Sequence, residues 1–254
     1  MSLDAFRLDG KTALVTGSRR GIGAAIAVAL AQAGSDVACH GRSSDPGSVC
    51  EEIRALGRRS TYFTADVTDP QACATLFANV VSEFGHVDIL VNNAGTIRRA
   101  PAAEYSAEHW DEMLAAHLSA VFRLSQLAGQ HMLARGTPGK IVNIASLLSF
   151  QGGIRVPAYS AAKAGVAGLT KALANEWAAK RINVNAIAPG YMITDNTEAL
   201  RSDPVRSRQI LDRIPAGRWG EPADLAGAAV FLCSSASDYV HGHVLVVDGG
   251  WLSF

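Results

Sequence analysis

The sequence predicts an α/β fold, a doubly wound sheet of parallel strands in a single domain. Three observations carry that expectation. Seven short runs rich in Val and Ile alternate with longer stretches patterned as helices. The runs are apolar throughout rather than alternating, as strands are when helices cover both faces of a parallel sheet. No repeat, low-complexity tract or linker divides the 254 residues, a length that suits one large α/β domain.

In chain order the strand candidates are "TALVT" (12–16), "DVACH" (36–40), "TYFTA" (61–65), "DILVN" (88–92), "KIVNIA" (140–145), "INVNAIA" (182–188) and "HVLVVD" (243–248). The helical candidates cover 21–33, 47–56, 69–84, 107–134, 157–180 and 222–234. A helix between successive strands is the connection that keeps them parallel. Residues 191–216, "YMITDNTEALRSDPVRSRQILDRIPA", break the rhythm between the sixth strand and the last helix. A long insertion after a strand's carboxyl end is expected to form a substrate lid.

Charge narrows the partners. The 23 Lys and Arg balance the 23 Asp and Glu, so no basic excess favours nucleic acid or a membrane surface. Cys39, Cys50, Cys73 and Cys233 are scattered with no C-x-x-C pair, which reads as a reduced cytoplasmic protein with no metal site and no disulfide framework. No signal peptide is expected, because Lys11 leads into an apolar run almost at once. No apolar stretch approaches the ~20 residues that span a bilayer.

The first strand runs into "TGSRRGIG", where Gly17, Gly21 and Gly23 follow G-x-x-x-G-x-G rather than the dinucleotide fingerprint G-x-G-x-x-G. The physics is shared: glycines allow a tight turn and close backbone approach, and a helix N-terminus offers free N–H groups to a pyrophosphate. The second strand ends "CHGRSSD". Where an NAD-binding chain offers an acid to the adenosine ribose, Arg42 stands instead, and the nearest acid, Asp45, comes later. Arg19 and Arg20 in the glycine turn are expected to approach the same ribose. Guanidinium forks suit a 2′-phosphate, so the three arginines favour NADP(H) over NAD(H).

The fourth strand ends in "NNAG", the fifth in Ser146, and the sixth in "APG" (188–190), a turn that could close over a nicotinamide. Thirteen residues after Ser146 comes Tyr159, and four later Lys163, in "IRVPAYSAAKAG". That spacing is about one helical turn, so phenol and ammonium share a face. Taken alone, an exposed Tyr–Lys pair is the plainer reading. In such sheets, however, ligands bind beyond the strands' carboxyl ends, where Ser146 and the Tyr159 helix both lie.

Taken in order, "TGSRRGIG", "NNAG", Ser146, "YSAAK" and "PG" resemble the short-chain dehydrogenase/reductase family from the first strand to the last. The resemblance implies a Rossmann-type domain with a seven-stranded parallel sheet, using NADP(H) or NAD(H). It implies that Tyr159 is the general acid/base, that Ser146 orients the substrate oxygen and that Lys163 holds the nicotinamide ribose. It also implies cofactor contacts from Gly17, Ser18, Arg19, Arg20, Gly21, Ile22, Gly23 and Arg42, from Asp66, Val67, Asn93, Ala94 and Gly95, and from Pro189, Gly190 and Ile193. A free Tyr has a pKa of ~10; the Lys163 ammonium and an oxidised nicotinamide are expected to lower it. The family usually carries an Asn seven residues after a Trp in its long fourth helix, and here "WDEMLAAHLSAVF" places His117 there. In the family that residue bends the helix and binds a proton-relay water, partly through its carbonyl. His117 can keep that role, or simply pack.

A closer likeness runs through "NNAGTIRRAP", "IASLLSFQGGIRVPAYSAAK", "IPAGRWG" and "DGGW". These are similar to the branch of the family acting on 2-dehydro-3-deoxy-D-gluconate or 2-deoxy-D-gluconate. That branch is typically NAD-linked, which conflicts with Arg42. A sugar acid needs a cationic anchor. Arg98 and Arg155 are the candidates, Arg155 the better one, with Gln151, Tyr191 and Trp251 as further pocket residues or plain packing residues; a subunit contact is the alternative for Arg98 and Arg99. Two other functions stay open: a 3-oxoacyl thioester (acyl carrier protein) reductase, and a non-catalytic cofactor-sensing interaction protein. The resemblance implies a homotetramer, and the Ala- and Gly-dense stretch at 158–168 would let two helices pack closely.

Overall fold

The computed structural model describes residues 3–45 and 47–253. Its sheet contains β1 (Thr12–Val15), β2 (Asp36–Gly41), β3 (Ser60–Thr64), β4 (Ile89–Asn92), β5 (Gly139–Ile144), β6 (Ile182–Pro189) and β7 (Val244–Val247). All pair in parallel, in the order β3-β2-β1-β4-β5-β6-β7. The chain winds outward through β2 and β3, then returns to place β4 on the other side of β1. That reversal opens a crevice beyond the carboxyl ends of β1 and β4, where the glycine turn and "NNAG" begin.

Helices cover both faces: α1 (Gly21–Gln32), α2 (Val49–Ala55), α3 (Pro70–Phe84), α4 (Ala107–Leu114), α5 (Ala120–Arg135), α6 (Pro157–Trp177), α7 (Glu198–Arg201), α8 (Pro204–Leu211) and α9 (Ala226–Cys233). Alternate strand side chains feed opposite cores. Ala13, Val15, Val37, Cys39, Ile89 and Val91 pack with Ile26, Leu30, Ile53 and Leu232 from α1, α2 and α9. Leu14, Ala38, Leu90 and Ile141 pack with Leu76, Val80, Leu124 and Leu173 from α3, α5 and α6. Both faces are dry, which is why these runs carry no polar alternation.

Helix boundaries follow local chemistry. The Asp69 side chain accepts the Gln71 N–H at 2.8 Å to cap α3, Pro70 opens it, and Gly85 closes it at φ +82°. The expected continuous helix over 107–134 is instead two helices joined by a π turn, Ala115–Ser119, with His117 at its centre. No Gly or Pro marks that break; only the resemblance, which implies a bend at the His117 position, pointed to it. The expected helices at 157–180 and 222–234 end and begin in short 3₁₀ turns, Ala178–Lys180 and Pro222–Leu225.

Residues 191–216 are not a bare loop. They hold a 3₁₀ turn (Asp195–Thr197), α7 and α8, with Ile210 and Ile214 packed against Leu147 and Trp251. No helix among the described residues is long and apolar enough to cross a membrane.

Candidate functional site

At the phosphate end, the glycine turn and "NNAG" are joined by Thr16 and Asn93. The Thr16 hydroxyl accepts the N–H groups of Asn93 and Ala94, each at 3.0 Å. The Asn93 amide donates to the carbonyls of Thr16 at 2.9 Å and Gly17 at 3.0 Å. Gly17 sits at φ +64°, and a Cβ there would lie 2.8 Å from Ala94 Cα; a Cβ on Gly23 would collide with the Gly17 carbonyl. Glycine is therefore needed for close approach as well as for the turn. Arg20 stands extended at the N-cap of α1 and no side chain caps it, so the first-turn N–H groups are free for an anion.

Two of the three arginines are paired with acids. Arg19 pairs with the Asp45 carboxylate, its Nε also donating to the Asp45 carbonyl at 2.8 Å. Arg20 pairs with Asp195 at 2.6 Å, across to the 191–216 segment. Arg42 is exposed and makes no ion pair or hydrogen bond among the described residues, so of the three guanidinium forks it alone is uncommitted. The other predicted cofactor residues lie around the crevice. The Asp66 carboxylate accepts the Thr68 hydroxyl at 2.7 Å and N–H at 3.0 Å, which holds its pKa below the usual carboxylate range. Val67 is buried, and so is Ser18, whose N–H donates to the His40 carbonyl at 2.9 Å. Gly21 is left-handed at φ +57°, and Ile22 packs on the core from the first turn of α1. Pro189 ends β6, Gly190 presses on Asp248, and the Ile193 N–H donates to the Gly220 carbonyl at 2.7 Å.

The structure brings Ser146, Tyr159, Lys163 and His117 together. Ser146 opens a 3₁₀ turn and its Oγ accepts the Leu148 N–H at 3.2 Å, leaving its own proton free to donate. Tyr159 is half-buried in the first turn of α6, within the influence of Ser146. The Lys163 Nζ donates to the Ile144 carbonyl at 2.5 Å and lies 5.5 Å from the Tyr159 ring centre. The His117 ring packs edge-on to Tyr159 at 4.9 Å. Its Nε2 donates to the Thr96 carbonyl at 2.5 Å, while Nδ1 is buried with no partner. The ring lies against Gly95, where a Cβ would collide with it.

Burial pushes the Tyr159 phenol up, and the opposing pulls come from Ser146 and then Arg99. Burial likewise lowers Lys163 to about 7. A lysine near half-charged at neutral pH exerts a weaker pull on its neighbour. Burial and then Lys163 lower His117 to about 3, so its ring is neutral at any ordinary pH.

On the substrate side, Arg98 is corrected as an anchor: its fork is taken by Glu112, at 2.8 and 3.1 Å. Sequence reasoning gave its neighbour Arg99 only a subunit contact. Arg99 has no acidic partner among the described residues, donates to the Asn196 carbonyl at 2.9 Å, and acts electrostatically with Tyr159 and Tyr191. Arg155 is exposed, sits at φ +64°, and accepts the Ala100 N–H at 3.0 Å, which ties its loop to that of Arg99. Its guanidinium has no partner among the described residues. Gln151 accepts from the Trp251 indole at 3.3 Å. Tyr191 packs into an aromatic cluster with Trp219 and Trp251, at 5.7 and 4.7 Å between ring centres.

Comparison with known proteins follows the same lines. A family profile described as enoyl-(acyl carrier protein) reductase matches residues 17–252. A 2-dehydro-3-deoxy-D-gluconate 5-dehydrogenase of Escherichia coli K12 is 55% identical over 253 residues, covering all of both chains. One of Bacillus subtilis 168 is 56% identical, covering 98% of each. Among solved structures, a Burkholderia cenocepacia J2315 gluconate 5-dehydrogenase in complex with NADP and tartrate is 40% identical, covers 100% of both chains and superposes with a TM-score of 0.95. An Agrobacterium tumefaciens protein with bound NADP is 56% identical with a TM-score of 0.93, covering 98% of this chain and 99% of that one.

Proposed function

The chain belongs to the short-chain dehydrogenase/reductase family, and from that premise we propose that it interconverts a secondary alcohol and a ketone on a small sugar acid. The substrate is keto-deoxy-gluconate or uronate-derived, and the coenzyme is NADP(H) in preference to NAD(H). One observation carries the reading: a Tyr159 phenol set among Ser146, Lys163 and His117, with the acid-free Arg99 acting on it.

The coenzyme fits the residues present. The uncapped start of α1 and the Gly17–Gly23 cradle would take the pyrophosphate, and unpaired Arg42 would take a 2′-phosphate. When bound, the nicotinamide supplies a hydride acceptor or donor. The protein moves the proton: Tyr159 Oη takes it from the substrate hydroxyl in oxidation and returns it in reduction. Ser146 donates its free O–H to the substrate oxygen as charge develops there. Lys163 has two N–H groups left after Ile144, enough to hold ribose hydroxyls. His117 serves as a neutral acceptor, with its Nδ1 lone pair free for a relay water. Arg99 and Arg155, on loops tied by the Ala100–Arg155 bond, hold the substrate carboxylate.

A 3-oxoacyl thioester reductase would need an electropositive groove for an acidic carrier. Arg19, Arg20 and Arg98 are each neutralised by an acid, which favours the small sugar acid. A non-catalytic sensor would not require the Ser146–Tyr159–Lys163 set. The test follows nicotinamide absorbance with NADPH and NADH on keto-deoxy sugar acids and an acetoacetyl thioester. Turnover of the thioester alone would overturn the substrate, and NADH preference would overturn the role of Arg42.

The same reading places the protein in the cytoplasm as a homotetramer. Support comes from Trp110 and Phe122, exposed on α4 and α5, and from the small-residue face of α6 with Ala161, Ala164 and Gly168 exposed. The 191–216 segment acts as the lid, tethered over the site by Arg20–Asp195 and by Arg99 to Asn196.

A further inference from the structure

Nothing in the residue pattern sets His40 apart, since it stands inside the apolar run of β2. In the structure it is 2% exposed and joins two ends of the crevice. Its Nδ1 accepts the Gly17 N–H at 3.2 Å, and its Nε2 donates to the Ala65 carbonyl at 3.1 Å. A carbonyl only accepts and a backbone N–H only donates, so the ring is the neutral Nε2–H tautomer. Burial lowers its pKa and keeps that acceptor lone pair free of a proton. The His40 N–H donates to the Ser18 hydroxyl at 2.9 Å, and its carbonyl accepts the Ser18 N–H at 2.9 Å.

We infer that His40 is a positioning residue for the coenzyme: its ring sets the glycine turn against which the pyrophosphate lies. The inference rests on the dinucleotide reading above. Gly17 turns its N–H inward, and without the imidazole that donor would be left without a partner in a part-buried place. Gly17 cannot shift alone, because Gly23 is packed directly on its carbonyl and Ala94 lies close by. Movement of the turn therefore passes to the first N–H groups of α1. The Ala65 bond anchors the other side of the ring next to Asp66 and Val67, both expected to contact the coenzyme.

This placement makes a distinctive prediction. The pyrophosphate is common to both coenzymes, so loss of the His40 acceptor weakens NADPH and NADH by the same factor. Loss of Arg42 weakens NADPH alone. The experiment titrates each coenzyme onto wild type, His40→Leu, His40→Asn and Arg42→Ala by fluorescence, without substrate. His40→Leu is expected to raise both dissociation constants roughly tenfold. His40→Asn carries an acceptor near the place of Nδ1 and is expected to regain most of the affinity. Should His40→Leu not fold, His40→Gln, which reaches Ala65 but lacks the acceptor beside Gly17, stands in with the same expected loss. ¹⁵N imidazole spectra of the unliganded wild type should show the Nε2–H tautomer. Wild-type affinity in the acceptor-deleted variant, loss confined to NADPH, no rescue by Asn, or the other tautomer would each overturn the inference. Binding of neither coenzyme by wild type would overturn the functional reading and this inference with it.

Discussion

Lys163 shows how one residue's environment sets its chemistry. Buried on α6 with its ammonium on the Ile144 carbonyl at the end of β5, it is pushed down by burial to about 7 from 10.5. Between those values the unfolded chain holds a proton that the folded chain has released, so stability should rise with pH from about 7 toward 10.5. Urea melts across that window should show the rise in the unliganded wild type and lose this part of it in Lys163→Met. An equal slope in both would show that Lys163 titrates normally. Tyr159→Phe should lower kcat by about 10³-fold while coenzyme binding stays intact, as removing a general acid/base does. Coenzyme binding lost together with turnover would assign Tyr159 a structural role instead. Arg42→Ala should weaken NADPH by about 10- to 100-fold, the worth of a charge-assisted contact, and leave NADH unchanged.

At the scale of elements, the π turn between α4 and α5 delivers His117 onto Gly95. A side chain at either position is fitted to the other: the imidazole occupies the place of a Gly95 Cβ. Gly95→Ala should therefore cost about 1–3 kcal/mol through overpacking. Adding His117→Asn, whose shorter side chain vacates that space, should restore part of it, as measured by thermal melts of the four chains in a double-mutant cycle. Additive losses would show that the ring and Gly95 are not coupled. The 191–216 segment is the other element with a function to test. Coenzyme and substrate together should protect it from proteolysis, and Asp195→Ala should speed cleavage in the unliganded protein by releasing Arg20. A cleavage rate indifferent to both would leave the segment as fixed structure.

For the whole molecule, the reversal between β1 and β4 is what brings distant residues to one crevice. Gly17, Asn93, Ser146 and Tyr159 all follow or adjoin the carboxyl ends of strands, so a single sheet places both the phosphate end and the chemical end. Assembly should follow from the apolar and small-residue surfaces of α4, α5 and α6. Light scattering should report a tetramer, and a monomer at working concentration would remove that part of the reading. All four cysteines are buried and free, so reducing agent should not change the mass observed.

The sequence by itself determined the strands, their parallel pairing and the Ser146–Tyr159–Lys163 spacing. It could do so because burial on both faces makes strands apolar throughout, and because chain-local spacing decides what shares a helical turn. Helix extents were also largely legible, as in the expected 69–84 against the observed Pro70–Phe84. Pairing between segments was not. Arg98 and Arg99 are neighbours of one type, and only the fold gives Glu112 to the first and leaves the second beside Tyr159. Arg19 and Arg20 look as available as Arg42 until Asp45 and Asp195 are brought to them. His40 reads as part of a strand until Gly17 and Ala65 arrive on either side of its ring. The π turn at His117 carries no breaker residue. Charge compensation, desolvation and ring packing depend on residues far apart in the chain, and the tertiary structure alone decides which of them meet.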